Sequence, residues 1–188
     1  MAAQPGPAPA AAALPPDLPM RYTWLYLALL LSLLLLACKQ PSDTAYNLML
    51  RQLYNHRVDT ISAAQVQQKL ELGIAPLLLD TRSKSEYQVS HLPGARYVGY
   101  ADFDLSDLKD VPSDTALVVY CAVGYRSEKI GEQLQAAGYT NVQNLHGGLF
   151  EWMNEGLPVY DSLGQTEKVH AYTRIWGIWL SKGDKVYD

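Results

Sequence analysis

"VVYCAVGYRSEKIGEQLQ", residues 118–135, places one of the chain's two cysteines between a strand-like apolar run and a helix-like one. Val118, Val119 and Tyr120 lead to Cys121. The short loop Ala122-Val123-Gly124-Tyr125 follows, and Arg126 and Ser127 open an amphipathic segment. The thiolate, not the thiol, is the nucleophile, and its pKa falls where backbone N–H groups and a helix N-terminus point at the sulfur. A short strand-to-helix loop containing a glycine can wrap into such a nest, and Gly124 relieves the steric limit on the turn. Arg126 closes the loop at the helix start, where it adds positive charge or holds the loop from below. This arrangement suits a negative sulfur and, equally, a bound anion. A buried structural cysteine ending a strand is the plain alternative. The Gly124, Arg126 and Ser127 that follow favour the reactive one.

The elements that must position this loop show in the hydrophobic pattern. "APLLLD", 75–80, is a wholly apolar run ending in Asp, as a strand buried on both faces reads. "RYVGY", "TALVVYC" and "NVQNL" read as three further strands. Helical segments alternate with them. "AYNLMLRQLYNH" precedes them all, and "TISAAQVQQKLELG" has Ser62 as N-cap, Val66 and Leu70 at i,i+4 spacing, and Gly73 as the stop. "SKSEYQVSH" follows, then "RSEKIGEQLQAAGY" with Ile130 and Leu134 inward, and finally "GGLFEWMNEG". The alternation predicts an α/β domain over 46–160, a mostly parallel sheet flanked by helices. Ligands of such sheets sit beyond the carboxyl ends of the strands, where Cys121 stands. Residues 161–188 lie outside the alternation. Trp176 and Trp179, with Val169, Tyr172 and Ile175, predict a segment packed back on the domain, the functional alternative being a partner or membrane-surface contact.

The other cysteine sets the compartment. "RYTWLYLALLLSLLLLA", 21–37, has one positive charge at the front and a leucine-rich run behind it, the marks of a secretory signal peptide. The uncharged stretch from Trp24 is about 14 residues, shorter than the ~20 a helix needs to span a bilayer. Its end, "LLAC", resembles the lipobox of bacterial lipoproteins, which implies a lipid on Cys38 and a domain facing the periplasm. Lys39 rather than Asp follows Cys38, tilting the expectation toward the outer membrane. Residues 1–19 are Ala/Pro low-complexity sequence. Met20, directly before Arg21, is the expected start, with a disordered extension as the alternative. Residues 1–37 therefore read as extension plus signal peptide, and 38–45 as a tether. What remains is long enough for one domain with a core. The net charge of −4 survives removal of Asp17 and Arg21 together. Without a Lys/Arg-rich tract, the domain has no electrostatic footprint for nucleic acid. Cys121 is then an unpaired thiol in an oxidising space, which asks for a function.

The loop "CAVGYRS" resembles the Cys-x-x-Gly-x-Arg-Ser active-site loop of rhodanese-type sulfurtransferase domains. "LLLDTRSKSEYQVSHLPGARYV" resembles that family's upstream segment through Asp80, Arg82, Glu86, Tyr87, His91, Pro93, Gly94 and Ala95. "LHGGLFEWMNEGLPV" resembles its closing segment through Gly147, Gly148 and Trp152. The segments follow the family's order over roughly residues 60 to 160. The resemblance implies a three-layer rhodanese-like domain. It also implies a two-step transfer in which Cys121 takes sulfur from a donor, thiosulfate or an organic persulfide, and yields it to a thiol or cyanide-like acceptor, with neither cofactor nor metal. Four residues separate Cys121 from Arg126, whereas related phosphatases use five, and the tighter loop suits one sulfur atom. The loop interior, Ala122, Val123 and Tyr125, lacks the extra basic residue of many thiosulfate users. Tyr125 is free to shape an organic donor or a partner surface.

The other residues read as support. Asp80 is expected to hold the neighbouring loop, Arg82 and Glu86 to form an i,i+4 ion pair, His91 and His146 to make structural hydrogen bonds, and Trp152 to sit in the core. Two alternatives remain, a non-catalytic binding module and a thiol redox partner of a periplasmic oxidoreductase.

Overall fold

Leu78 and Val118 face one side of a parallel sheet, Leu79 and Val119 the other, as the two-residue period of a strand requires. All four are buried, so the sheet carries a core on each face. The computed structural model describes residues 41–187. The Ala/Pro-rich extension, the signal segment and Cys38 lie outside the described residues.

Five strands make the sheet: β1 (Thr60–Ile61), β2 (Leu77–Asp80), β3 (Arg96–Tyr97), β4 (Leu117–Tyr120) and β5 (Val142–Leu145). Their order is β1-β5-β4-β2-β3, and every neighbouring pair is parallel. β4 lies at the centre with β5 and β2 beside it, and the apolar runs of β2 and β4 are buried on both faces of the sheet. Their register aligns Asp80 with Tyr120, so β2 ends beside the residue preceding Cys121.

The helices run over Pro41–Leu53 (α1), Ala63–Glu71 (α2), Lys84–Val89 (α3), Tyr125–Ala136 (α4) and Gly148–Asn154 (α5). Ser62 and Ser83 cap α2 and α3 through reciprocal capping boxes with Gln65 and Glu86. Ile130 and Leu134 of α4 fill the core on one face with Val58, Leu117 and Val119. On the other face, Ala63 and Val66 of α2 and Phe150 and Trp152 of α5 pack with Leu78, Val118 and Tyr120. The result is the three-layer α/β arrangement, with a sheet that is parallel throughout.

Two features differ from the sequence reading. Helix α1 begins at Pro41, inside the stretch read as a tether. β1, a fifth strand, has only two residues, too few to show an alternation.

Beyond α5 the chain keeps regular structure. β6 (Val159–Asp161) and β7 (Gly164–Thr166) form an antiparallel hairpin. β8 (Lys168–His170) and β9 (Asp184–Val186) pair in parallel around a 3₁₀ turn at Trp176–Trp179. Val169, Ala171 and Leu180 are buried in the core. Trp179 stacks on Tyr46 at 5.5 Å, and its carbonyl accepts from Asn154 Nδ2 at 2.9 Å. Burial of Val169 and Leu180 stabilises this docking by about 1.5–3 kcal/mol each. Among the described residues, no helix is long and apolar enough to cross a membrane.

Candidate active site

The loop after β4 is short enough that its backbone orientation is decided by what its carbonyls bind. Four successive carbonyls have outward partners. Those of Cys121 and Ala122 accept from Leu149 N–H (2.8 Å) and Phe150 N–H (3.0 Å) at the start of α5. That of Val123 accepts from the Tyr54 hydroxyl at 2.6 Å, and that of Gly124 from Asn144 Nδ2 at 3.0 Å. A peptide whose C=O is held outward turns its N–H the other way, and the Gly124 N–H donates to Cys121 Sγ at 3.1 Å. Gly124, at φ 98, caps α4 without a side-chain hydrogen bond, leaving the helix's first N–H groups for a negative partner. Cys121 itself is buried and unpaired.

The anchors of this loop come from distant sequence. Tyr54, just past α1, donates to Val123 and accepts from Gly147 N–H at 3.0 Å, so one hydroxyl ties the cysteine loop to the α5 turn. Burial, then the nearby Cys121 and Glu128 charges, push its pKa upward against the Gly147 hydrogen bond, so it stays a neutral hydroxyl able to donate. A side chain on Gly124 would run into Tyr54, with Cζ at 2.7 Å. Tyr46 adds a hydrogen bond to the Gly147 carbonyl at 2.9 Å. Buried Ser127 donates to Asn144 Oδ1 at 2.7 Å, orienting the amide that holds Gly124.

Arg126 and Glu86 form the loop's ionic support. The guanidinium donates through both terminal nitrogens to the two carboxylate oxygens, each at 2.8 Å. This corrects the expected Arg82–Glu86 pair. Ser83 is the extended N-cap of α3, so Arg82 lies outside the helix and the i,i+4 geometry does not apply. Arg82 instead makes a fully buried pair with Asp80 at 2.6 Å and donates to the Ser90 carbonyl. Asp80 also accepts from the Arg82 N–H, so it holds the turn after its own strand.

Burial opposes ionisation of Glu86, but the hydrogen bonds and charge of Arg126, the Ser83 N–H and the Arg82 charge bring its pKa down to about 2. A depressed carboxylate pKa stabilises the fold fully above the ordinary value of 4.5, and the contribution is lost as pH falls from there toward 2. Its size is on the order of 3 kcal/mol. Glu86→Gln is accordingly expected to lose about that much stability at pH 7, with the gap from wild type closing below pH 4 in urea titrations. An unchanged gap from pH 7 to 3 would refute the assignment.

His91 Nδ1 lies 3.1 Å from the Tyr87 carbonyl, and its ring stacks on Tyr87. His146 Nε2 meets Asn47 Oδ1 at 3.1 Å. Burial, then the charges of Arg51 and His56, lower the His146 pKa, so the ring is neutral at pH 7. Trp152 is buried, with its indole N–H on the Pro158 carbonyl. Among the described residues, no cluster of three His, Cys, Asp or Glu is placed to hold a metal.

Above the sulfur opens a cavity of about 460 Å³. Ala122, Val123 and Tyr125 line it with Leu53, Tyr100, Tyr172 and Trp176, and among the described residues Arg126 is the one charged wall. Tyr54, Asn144, Tyr172 and Trp176 were missed or left without a role by sequence reasoning. Each acts across the fold, and only the aromatic richness of the C-terminal segment signalled any of them.

The site is thus a cysteine cradled at the carboxyl end of the central strand of a parallel α/β sheet. Residues 62–155, half of the chain, match the rhodanese-like domain, and the chain belongs to that family. It is 30% identical to a sulfurtransferase of Allochromatium vinosum over 54% of this chain and 94% of the relative. It is 31% identical to an adenylyltransferase and sulfurtransferase of Ogataea parapolymorpha over half of this chain, spanning only a quarter of that protein. The crystal structure of a thiosulfate sulfurtransferase from Pseudomonas aeruginosa aligns with 74% of this chain and 26% of its own, at TM-score 0.53 and 25% identity. Tyr54, Tyr172 and Trp176 lie outside the matched residues.

Proposed function

We propose that the protein is a sulfurtransferase that carries sulfane sulfur as a persulfide on Cys121. The observation that supports this most is the loop itself: four carbonyls held outward and an N–H donating to Sγ make a cradle for a negative sulfur. In the first half-reaction the Cys121 thiolate attacks the outer sulfur of a donor. With thiosulfate, the new bond joins Sγ to that sulfur, the donor's S–S bond breaks, and the electron pair leaves with sulfite. In the second, an acceptor thiolate attacks the outer sulfur, the persulfide bond breaks, and its electron pair restores the Cys121 thiolate. The cradle receives the outer sulfur's charge between the two steps. Intact mass after exposure of the reduced protein to thiosulfate or an organic persulfide tests the reading. A gain of one sulfur, removed by cyanide, is expected; no gain with either donor would overturn it.

We place this activity at the bacterial cell envelope, with the domain tethered by lipid on Cys38 and facing the periplasm, because residues 21–38 combine a basic start, an apolar run and the sequence Leu-Leu-Ala-Cys. Cells fed labelled palmitate should label the wild-type protein and not Cys38→Ser. Equal labelling of both would refute the anchor.

A further inference from the structure

The walls of the Cys121 cavity speak to the body of the molecule that carries the sulfur. At about 460 Å³ the cavity has the size of a small-ligand site, and a cavity of about 150 Å³ already holds benzene. Seven of its lining residues are aliphatic or aromatic, four of them Tyr or Trp. The one cation among the described lining residues, Arg126, has both terminal nitrogens on Glu86 and lies 5.0 Å from the centroid of the Tyr172 ring. A dianion entering here gives up its hydration for a charge that is already paired. An apolar body loses nothing by entering.

Two of the walls, Tyr172 and Trp176, come from the C-terminal segment, outside the residues that match the family. Tyr172 holds a left-handed backbone at φ 63, rare for an aromatic residue and costing on the order of 1 kcal/mol. A hydrogen bond from its N–H to His170 Nδ1 at 3.1 Å fixes this turn. The strain aims a ring at Arg126 and the cavity mouth rather than into the core. The segment is docked through Val169, Leu180 and Trp179, so these walls are fixed.

We infer that the site selects a monoanionic sulfane-sulfur donor with an apolar, ring-sized body, and that Trp176 and Tyr172 are its specificity determinants. The inference rests on the sulfurtransferase reading and names its substrate class. With an aryl thiosulfonate the Cys121 thiolate attacks the outer sulfur. A bond forms to Sγ, the sulfonyl S–S bond breaks, and the electron pair leaves with the aryl sulfinate. The ring sits between Trp176 and Tyr172 while the sulfur reaches the loop.

The experiment compares benzenethiosulfonate with methanethiosulfonate, two monoanions of one chemistry that differ in their apolar body. Initial rates of sulfite-free cyanide thiolation give kcat/KM for each, in wild type, Trp176→Ala and Tyr172→Gly. Glycine accepts the backbone at 172, so the second variant keeps the turn should the first disturb packing. Burial of the ring predicts a wild-type preference for the benzene donor of at least about tenfold. Both variants should bring the ratio toward one, mainly through KM for the benzene donor. A ratio near one in wild type, or one that neither variant moves, overturns the inference while persulfide on Cys121 leaves the transferase reading standing. Failure of both donors to load Cys121 defeats the two together.

Discussion

Cys121→Ser is expected to end sulfur uptake, with cyanide thiolation at the uncatalysed background and no mass gain from any donor, while the fold persists. An alcohol at this position has no accessible anion at neutral pH and forms no persulfide. The structure has no other thiol among its described residues to take over. Serine is slightly smaller than cysteine, and its hydroxyl can accept the Gly124 N–H that now meets Sγ at 3.1 Å. The stability change should therefore stay within about 1 kcal/mol, read by urea unfolding. This separates the competing roles of the domain. A binding module would retain its partner in the serine variant, and a thiol redox protein would lose exchange but never show cyanide-labile sulfur in the wild type. Persistence of sulfur transfer in Cys121→Ser would refute Cys121 as the carrier.

What the sequence revealed and what it concealed follow from how far each interaction reaches. The cysteine loop could be read because its chemistry is local. A strand end, a glycine at 124 and an arginine at the helix start stand within six residues. Strands β2 and β4 could be read because burial on both faces leaves an unbroken apolar run. The supports of the loop could not. Tyr54 holds a carbonyl 69 residues away, and Arg126 pairs with a carboxylate 40 residues upstream. In sequence that carboxylate, Glu86, looked better suited to Arg82, four residues before it. Only the N-cap geometry at Ser83 removes Arg82 from the helix and frees Glu86 for the loop. Trp176 drew attention as an apolar residue in a tail, but its place at the cavity depends on the β8–β9 pairing, whose three-residue strands carry no usable period.

Gly148→Ala is expected to damage both the cysteine loop and the fold. Gly148 has φ 57, and a Cβ there would overlap the Cys121 carbonyl oxygen and stand 2.8 Å from that of Ala122. Both obstacles are backbone, so no rotamer relieves them. The carbonyls in question are those held by the Leu149 and Phe150 N–H groups, at 2.8 and 3.0 Å. A methyl therefore pushes α5 away from the two peptides it orients. Once released, those carbonyls can turn toward the sulfur, replacing donors by acceptors where negative charge must sit. Loss of such preorganised donors costs about 10²–10³ in rate. The clash and the left-handed backbone together cost about 2–4 kcal/mol of stability. Gly138→Ala is the control. Its φ of 97 is at least as unfavourable to alanine as the 57 of Gly148, yet its added Cβ meets nothing within 4 Å. It should lose only the backbone contribution, about 1–2 kcal/mol, with persulfide loading intact. If Gly148→Ala instead loads sulfur as fast as Gly138→Ala, the contact between α5 and the loop carbonyls does not set the reactivity of Cys121. The cradle would then have to rest on Tyr54 and Asn144 alone.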